Sequence, residues 1–287
     1  MAFEPPQRLV RALGEDDAWL ARLPGTVEET VARQKLDVER TVVPGGRSSL
    51  LLLVRQPDGT PAALKLAPPS AAPGHEAAAL EHWNGWGAVR LLDAADGELL
   101  LERLHPEVSL RSLPEAKALL EAAGTVRRLW VEPPAGHTFE TVADRTARQA
   151  AAMRNSAEPL VAAALAARDE LVTAAPEELL LHGNFRQGKV LSGDRAPWLA
   201  VGPEPLVGER AYDLARLARD RVEDLVASSA GASAARRRLN RLADSLEVDR
   251  DRLRGWTLFR AVESGLRAVA AGRRAEGELA LEFADWL

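Results

Sequence analysis

Residues 177–215 read EELLLHGNFRQGKVLSGDRAPWLAVGPEPLVGERAYDLA, and their texture differs from the chain around them. Two brief strand-like runs, Leu179–Leu181 and Trp198–Val201, sit among loops rich in polar residues before a helical pattern resumes at Ala211. The flanking sequence is helical. EAKALLEAAGTVRRLW (115–130), TARQAAAMRNSAEPLVAAALAARDELV (146–172), AYDLARLARDRVEDLVA (211–227) and WTLFRAVESGLRAVAAG (256–272) all repeat apolar residues three and four apart. A loop-and-hairpin island inside a helical region is a natural place for a site, because loops held by a rigid scaffold carry function. SAGASAAR, 229–236, reads as a flexible connection between helices.

Upstream the pattern changes again. TVVPGG, SLLLLV, AALKLA, AVRLLD and ELLLER are short apolar runs between residues 28 and 104. They are separated by turn signals such as Pro44-Gly45-Gly46 and Pro57-Asp58-Gly59, which predicts an antiparallel sheet with hairpins. HEAAALEHWNGW predicts one helix within it, at roughly 74–85. Residues 8–23 predict a short helix interrupted near Gly14. The expected organisation is an N-terminal helical extension over 1–34, a β-rich lobe over 35–104 and a helical lobe over 105–287.

Composition bounds the function. The chain has 287 residues, 46% hydrophobic and 28% charged, which is ordinary for a folded protein and excludes wholesale disorder. A net charge of −5 argues against a general nucleic-acid binder, and the Arg236–Arg238 run reads as a solvated helix face. Cysteine is absent, which removes disulfides, thiolate metal sites and a cysteine nucleophile together. No apolar run approaches the ~18–20 residues that span a bilayer, and MAFEPPQRLV has no apolar signal core, so no membrane association and a cytoplasmic location are expected. His75 and His82 lie seven residues apart on one helix, about 10 Å, too far to share a metal. Of the 37 basic side chains only four are Lys: Lys35, Lys65, Lys117 and Lys189.

The segment from Leu181 to Ala215 resembles the active-site stretch of aminoglycoside phosphotransferases, in particular the streptomycin kinase and hydroxyurea phosphotransferase branch. The resemblance runs upstream through VVPGGRSSLLLLVRQPDGTPAALKLA, HEAAALEHW and LLLERL, and downstream to GWTLFRAVESGL, covering about residues 35–270. It implies an α+β, protein-kinase-like fold: a small antiparallel β-rich lobe, a helical lobe, and ATP in the cleft between them. On strand periodicity Ala63, Lys65 and Ala67 share one face and Leu64 and Leu66 the other. The resemblance assigns Lys65 to the α/β-phosphates, paired with Glu76, with Ala63 leaving room for adenine. Pro44–Ser49 would cover the phosphates, and Glu102 and Leu104 would form the adenine-pairing hinge. Asp213 matches the helix aspartate that receives backbone N–H groups of the catalytic loop in kinase-like folds, and as a first-turn Asp it also suits the helix dipole.

The residues of the chemistry itself depart from the family. Related kinases read HGDxHxGN where this chain reads HGNFRQGK, so Asn184 stands at the aspartate position and Lys189 at the metal-binding asparagine position. Where the family reads IDP this chain reads VGP, with Gly202 at the principal metal carboxylate. An amide is no general base at neutral pH, an ammonium repels a divalent cation, and glycine offers no ligand. The expectation is therefore a pseudokinase that binds a small molecule, ATP or another nucleotide, with no metal and without phosphoryl transfer; a protein partner stays open. Two alternatives stand beside it. One is changed chemistry in the same cleft using Arg186, Lys189 and Glu204. The other is a residual small-molecule kinase whose metal is held by Glu204, Glu209 or Asp194. Glu263, with Glu282 and Asp285, is a candidate acid for a cationic substrate.

Overall fold

A computed structural model describes residues 4–287 of the chain; the first three residues of the N-terminal segment lie outside the described residues. The elements in chain order are α1 (Gln7–Leu13), α2 (Ala18–Gln34), β1 (Asp37–Thr41), β2 (Leu50–Arg55), β3 (Pro61–Leu66), α3 (Pro73–Trp83), β4 (Leu91–Ala95), β5 (Glu98–Glu102), β6 (Leu104–Ser109), α4 (Glu115–Leu129), α5 (Val142–Met153), α6 (Leu160–Thr173) and β7 (Leu179–Leu181). They continue with β8 (Val190–Gly193), β9 (Leu199–Ala200), β10 (Leu206–Gly208), α7 (Arg210–Ala218), α8 (Val222–Val226), α9 (Gly231–Leu246), α10 (Arg250–Ala270) and α11 (Arg274–Asp285). The chain divides into two compact units, one formed by residues up to Ser109 with Leu191–Val201, the other by Leu110–Val190 with Gly202–Leu287.

The first unit is built on a five-stranded antiparallel sheet in the order β1-β2-β3-β5-β4. Period-2 alternation sorts its residues. Leu50, Leu52, Val54, Ala62, Leu64 and Leu66 form one buried face, packed with Leu9, Leu20, Leu23 and Val27 of α1 and α2. The N-terminal helices thus complete the core of the β-rich unit and are no appendage to it. Asp17 starts α2 by accepting the Trp19 and Leu20 N–H groups, 2.9 and 3.0 Å. On β3, Lys65 pairs with Leu99 and Ala63 with Leu101, so these four share the opposite face.

The second unit is helical, with α10 packed against α6, α7 and α11 and a two-stranded ribbon of β7 and β10 set among the helices. Several boundaries differ from the sequence expectation. TVVPGG is mostly turn, because β1 ends at Thr41 before Pro44 and Gly45 turn the chain. The run 146–172 is two helices, α5 and α6, broken at 154–159 where Pro159 cannot continue the first. The run 211–227 also breaks: α7 ends at Ala218, and Arg221, with a left-handed φ of 55°, opens α8. SAGASAAR is no flexible connection: Gly231–Arg236 form the first turns of α9, where Ala235 is buried. Among the described residues no helix is long and apolar enough to cross a membrane.

Candidate active site

In the first unit the Lys65 ammonium forms an ion pair with the Glu76 carboxylate of α3. Glu76 is buried, with Oε1 holding no hydrogen-bond partner, and Lys65 is only 14% exposed. The pair lies on the Ala63 face of the sheet, and Ala63 itself is buried. Glu102 is tied by two hydrogen bonds from Arg195, 2.6 and 3.0 Å, and accepts the Arg90 N–H at 2.8 Å. Leu104 is buried at the start of β6, in register with Gly193 of β8.

In the second unit the 182–189 loop is held from below. Asp213, fully buried near the start of α7, accepts the His182 N–H at 2.9 Å and the Gly183 N–H at 2.8 Å. Burial pushes the Asp213 carboxyl up, against the pull of Arg260 and of these two N–H groups. Arg260 of α10 donates to the Tyr212 carbonyl at 2.8 Å and the Gly183 carbonyl at 2.9 Å, and stacks over the Tyr212 ring. Gly183 takes a φ of +74°, and a Cβ there would collide with the Glu204 carbonyl, so the segment at Glu204 presses on the loop only because position 183 has no side chain. The Glu204 N–H donates to the His182 carbonyl at 2.9 Å, which fixes the approach.

That approach places a carboxylate at the head of the loop. The Asn184 amide donates to Glu204 Oε1 at 2.7 Å. Lys189 Nζ donates to the Gly202 carbonyl at 2.8 Å. Burial works to raise the Glu204 carboxyl, but the charge of Lys189, the Asn184 hydrogen bond and the charges of Arg145 and Arg260 outweigh it and hold Glu204 below the ordinary carboxylate range. Glu204 is thus an ionised acid within one hydrogen bond of Asn184.

The two positions where the family resemblance places divalent-metal ligands carry other groups in this chain. Mg²⁺ wants oxygen ligands in a near-octahedral shell. Here one metal position carries an ammonium, and at the other a Cβ on Gly202 would sit 2.6 Å from Lys189 Nζ, at a φ of +58° that strains any side chain. Among the described residues no three His, Asp or Glu side chains gather as a metal site. Glu209 and Asp194 already have partners. Glu209 is buried and committed to Arg252 and the Trp256 Nε1–H, each at 2.6 Å, while Asp194 belongs to the first unit, where it faces His105 at 2.9 Å. Glu263 is paired with Arg267 one turn on, at 2.8 Å. Arg186 lines a cavity with Arg111, Arg216, Arg219 and Arg221. Arg260 escaped the sequence reading. Its one signal was a basic residue inside the apolar run WTLFRAV, where a charge needs a reason.

Comparison with known proteins decides the family. The model of the aminoglycoside/hydroxyurea antibiotic resistance kinases matches residues 34–272. The chain is 34% identical to a streptomycin 6-kinase of Streptomyces glaucescens over 96% of this chain and 93% of that protein. The chain belongs to the aminoglycoside/hydroxyurea antibiotic resistance kinase family. A hydroxyurea phosphotransferase of Kitasatospora aureofaciens is 36% identical over 92% of this chain and 78% of its own length. The fold is that of the crystal structure of aminoglycoside phosphotransferase APH(4)-Ia, with a TM-score of 0.65 at 15% identity, covering 92% of this chain and 97% of that one. A choline kinase from Cryptosporidium parvum matches with a TM-score of 0.58 at 10% identity, over 91% of this chain and 93% of that one.

These relatives correct the expectation of a pseudokinase. Proteins about a third identical to this family member over more than nine-tenths of its length carry the names of kinases and phosphotransferases. Positions 184, 189 and 202 lack the family's base and metal ligands, but Glu204 lies within a hydrogen bond of Asn184.

Proposed function

We propose that the protein is an ATP-dependent phosphotransferase acting on a hydroxyl of a small polar molecule, with Glu204 serving in place of the family's catalytic aspartate. The observation that carries this reading is the 2.7 Å contact between Glu204 and the Asn184 amide. It sets an ionised carboxylate beside the position from which an aspartate works in related kinases. The acceptor hydroxyl gives its proton to Glu204 as its oxygen bonds to the γ-phosphorus, and the bond from that phosphorus to the departing ADP breaks. Asn184 orients the carboxylate through its N–H, and the loop beneath is kept in shape by Asp213. Lys65, as the family resemblance implies, meets the α/β-phosphates. Lys189 supplies positive charge where the family places a metal ligand, so nucleotide binding here does not require a divalent ion.

The acceptor class follows the relatives, which are named for streptomycin and hydroxyurea, and a structural neighbour is a ternary complex with ADP and hygromycin B. A cytoplasmic location suits a consumer of ATP. The test is ADP release from ATP with a panel of aminoglycosides, hydroxyurea and simple polyols, with and without Mg²⁺, for the wild type and Glu204→Gln. Acceptor-dependent turnover that falls by about 10²-fold or more in Glu204→Gln supports the reading. Turnover untouched by that substitution contradicts it.

A further inference from the structure

The arginines of α7 and its C-terminus present a problem that the phosphotransfer reading does not absorb. Arg216 and Arg219 lie three residues apart and therefore on the same side of the helix end. Both are largely withdrawn from solvent, and the Arg219 Nε is buried with no hydrogen-bond partner. Among the described residues neither guanidinium has a carboxylate at ion-pair distance.

The acids nearby are already engaged. Asp220 accepts the Gln187 N–H at 2.7 Å and the Arg221 N–H at 3.2 Å, Glu223 pairs with Arg111 at 2.5 Å, and Glu276 accepts from Arg273 at 2.9 Å. Arg221 donates to the Gln187 side chain at 2.7 Å and to the Arg111 and Leu113 carbonyls at 2.8 and 2.9 Å. Burial, with Arg186 and Arg260 as neighbours, pushes the Arg216 guanidinium down to about 10, and burial beside Arg216 and Arg260 pushes Arg219 well below its ordinary value. A buried charge without an ion-pair partner is unfavourable, so this fold carries a local deficit of negative charge.

The deficit surrounds an opening. Arg111, Arg186, Arg216, Arg219 and Arg221 line a cavity of about 240 Å³ within the second unit, facing three acids of the same wall, Asp220, Glu223 and Glu276, so the lining keeps an excess of positive charge. That is smaller than the roughly 300–1,000 Å³ that hold whole drug-sized ligands, so it suits an ionic group and not an intact oligosaccharide. Guanidinium forks meet tetrahedral oxyanions through paired N–H bonds. We propose that this cavity is a binding site for a phosphate oxyanion, with Arg216 and Arg219 as the contacting forks and Arg186 as a third cation. Two sources share that chemistry, inorganic phosphate and the phosphate of a small ester. Glu204 and Lys65 are not among the residues that line this cavity.

Calorimetric titration tests this on the full chain in EDTA, at constant ionic strength, with inorganic phosphate, with glucose 6-phosphate and with a sodium chloride control. Saturable one-to-one phosphate binding is expected, weakened about tenfold or more in Arg216→Met and in Arg219→Met, the loss of one charge-assisted contact. Arg237→Gln, on the exposed face of α9, leaves it unchanged. Tighter glucose 6-phosphate points to an ester as the natural occupant, and equal or tighter inorganic phosphate to the free ion. Without phosphate, Arg219→Met unfolds at the same or a higher temperature than the wild type, because it removes an unpaired charge. The proposal is overturned if phosphate gives no heat beyond the chloride control. It is equally overturned if binding survives in both Met variants and disappears in Lys189→Asn, or if Arg219→Met destabilises the phosphate-free protein, which would make Arg219 a structural residue.

Discussion

Replacing Asp213 with alanine gives the sharpest reading of how the 182–189 loop is held. The carboxylate is completely buried and receives the His182 and Gly183 N–H groups at 2.9 and 2.8 Å. Alanine leaves two buried donors unpaired, at about 1–3 kcal/mol each, or roughly 2–6 kcal/mol in all. Part of that loss is offset, because burying the Asp213 carboxylate is itself unfavourable, as its upward shift shows. The net cost expected is about 2–4 kcal/mol. Asp213→Asn is no rescue: its amide offers one acceptor oxygen and turns a donor toward the second N–H, so it recovers at most about half of the loss. Urea unfolding of the three proteins gives the energies, and amide hydrogen exchange at His182 and Gly183 shows whether the loss is local. Phosphotransfer by Asp213→Ala should fall with the loop, while nucleotide contacts of the first unit persist. A cost under about 1 kcal/mol with unchanged protection at both amides would refute the reasoning, because two buried N–H groups cannot lose a carboxylate at no cost.

Three further outcomes follow from named contacts. Lys189 holds Glu204 below the ordinary carboxylate range against the effect of burial, so the acidic limb of kcat/KM lies below that range; the stabilisation from its ionised form is present above the ordinary value and lost as pH falls through the lowered one, and Lys189→Asn should move the limb upward in a pH–rate profile. Lys65→Ala strands the buried Glu76 carboxylate, so it should cost about 3–5 kcal/mol in urea unfolding, while Lys65→Ala/Glu76→Leu, which removes both charges, recovers most of it. Gly183→Ala forces a side chain into a positive-φ position against the Glu204 carbonyl, and should cost more than about 1 kcal/mol in the same measurement, with phosphotransfer lost in parallel.

Much of the fold is legible in the residues. Strand alternation separates Lys65 from Leu64 and Leu66, and the family motif places Glu76 on the next helix, where the ion pair forms. Asp213 is legible through the resemblance of AYDLA to the family's helix aspartate, and its hydrogen bonds reach His182 and Gly183, 31 and 30 residues upstream. The breaks at 154–159 and Arg221 are harder, because a three- and four-residue apolar rhythm runs through both and the competing turn geometry is local. SAGASAAR misleads for the opposite reason: small residues suggest flexibility, yet Ala and Ser are accommodated in a helix whose later apolar face packs. Within the site, the sequence names Asn184, Lys189, Gly202 and Glu204 but not their mutual contacts. The Glu204–Asn184 bond spans twenty residues and depends on Gly183 yielding space, which no spacing encodes. Arg216 and Arg219 read as ordinary helix-face charges, and only the surrounding α10 and α11 residues reveal the cavity they line.

The central claim is that Glu204 does the work of the missing aspartate. Measurement of ATP-dependent phosphorylation of an acceptor by the wild type, Glu204→Gln and the paired variant Asn184→Asp/Glu204→Gln addresses it directly. The account predicts acceptor-dependent ADP release by the wild type, its loss by about 10²-fold or more in Glu204→Gln, and its partial return when the aspartate is restored at 184. Full activity in Glu204→Gln, or none in the wild type with any acceptor of the panel, would contradict it.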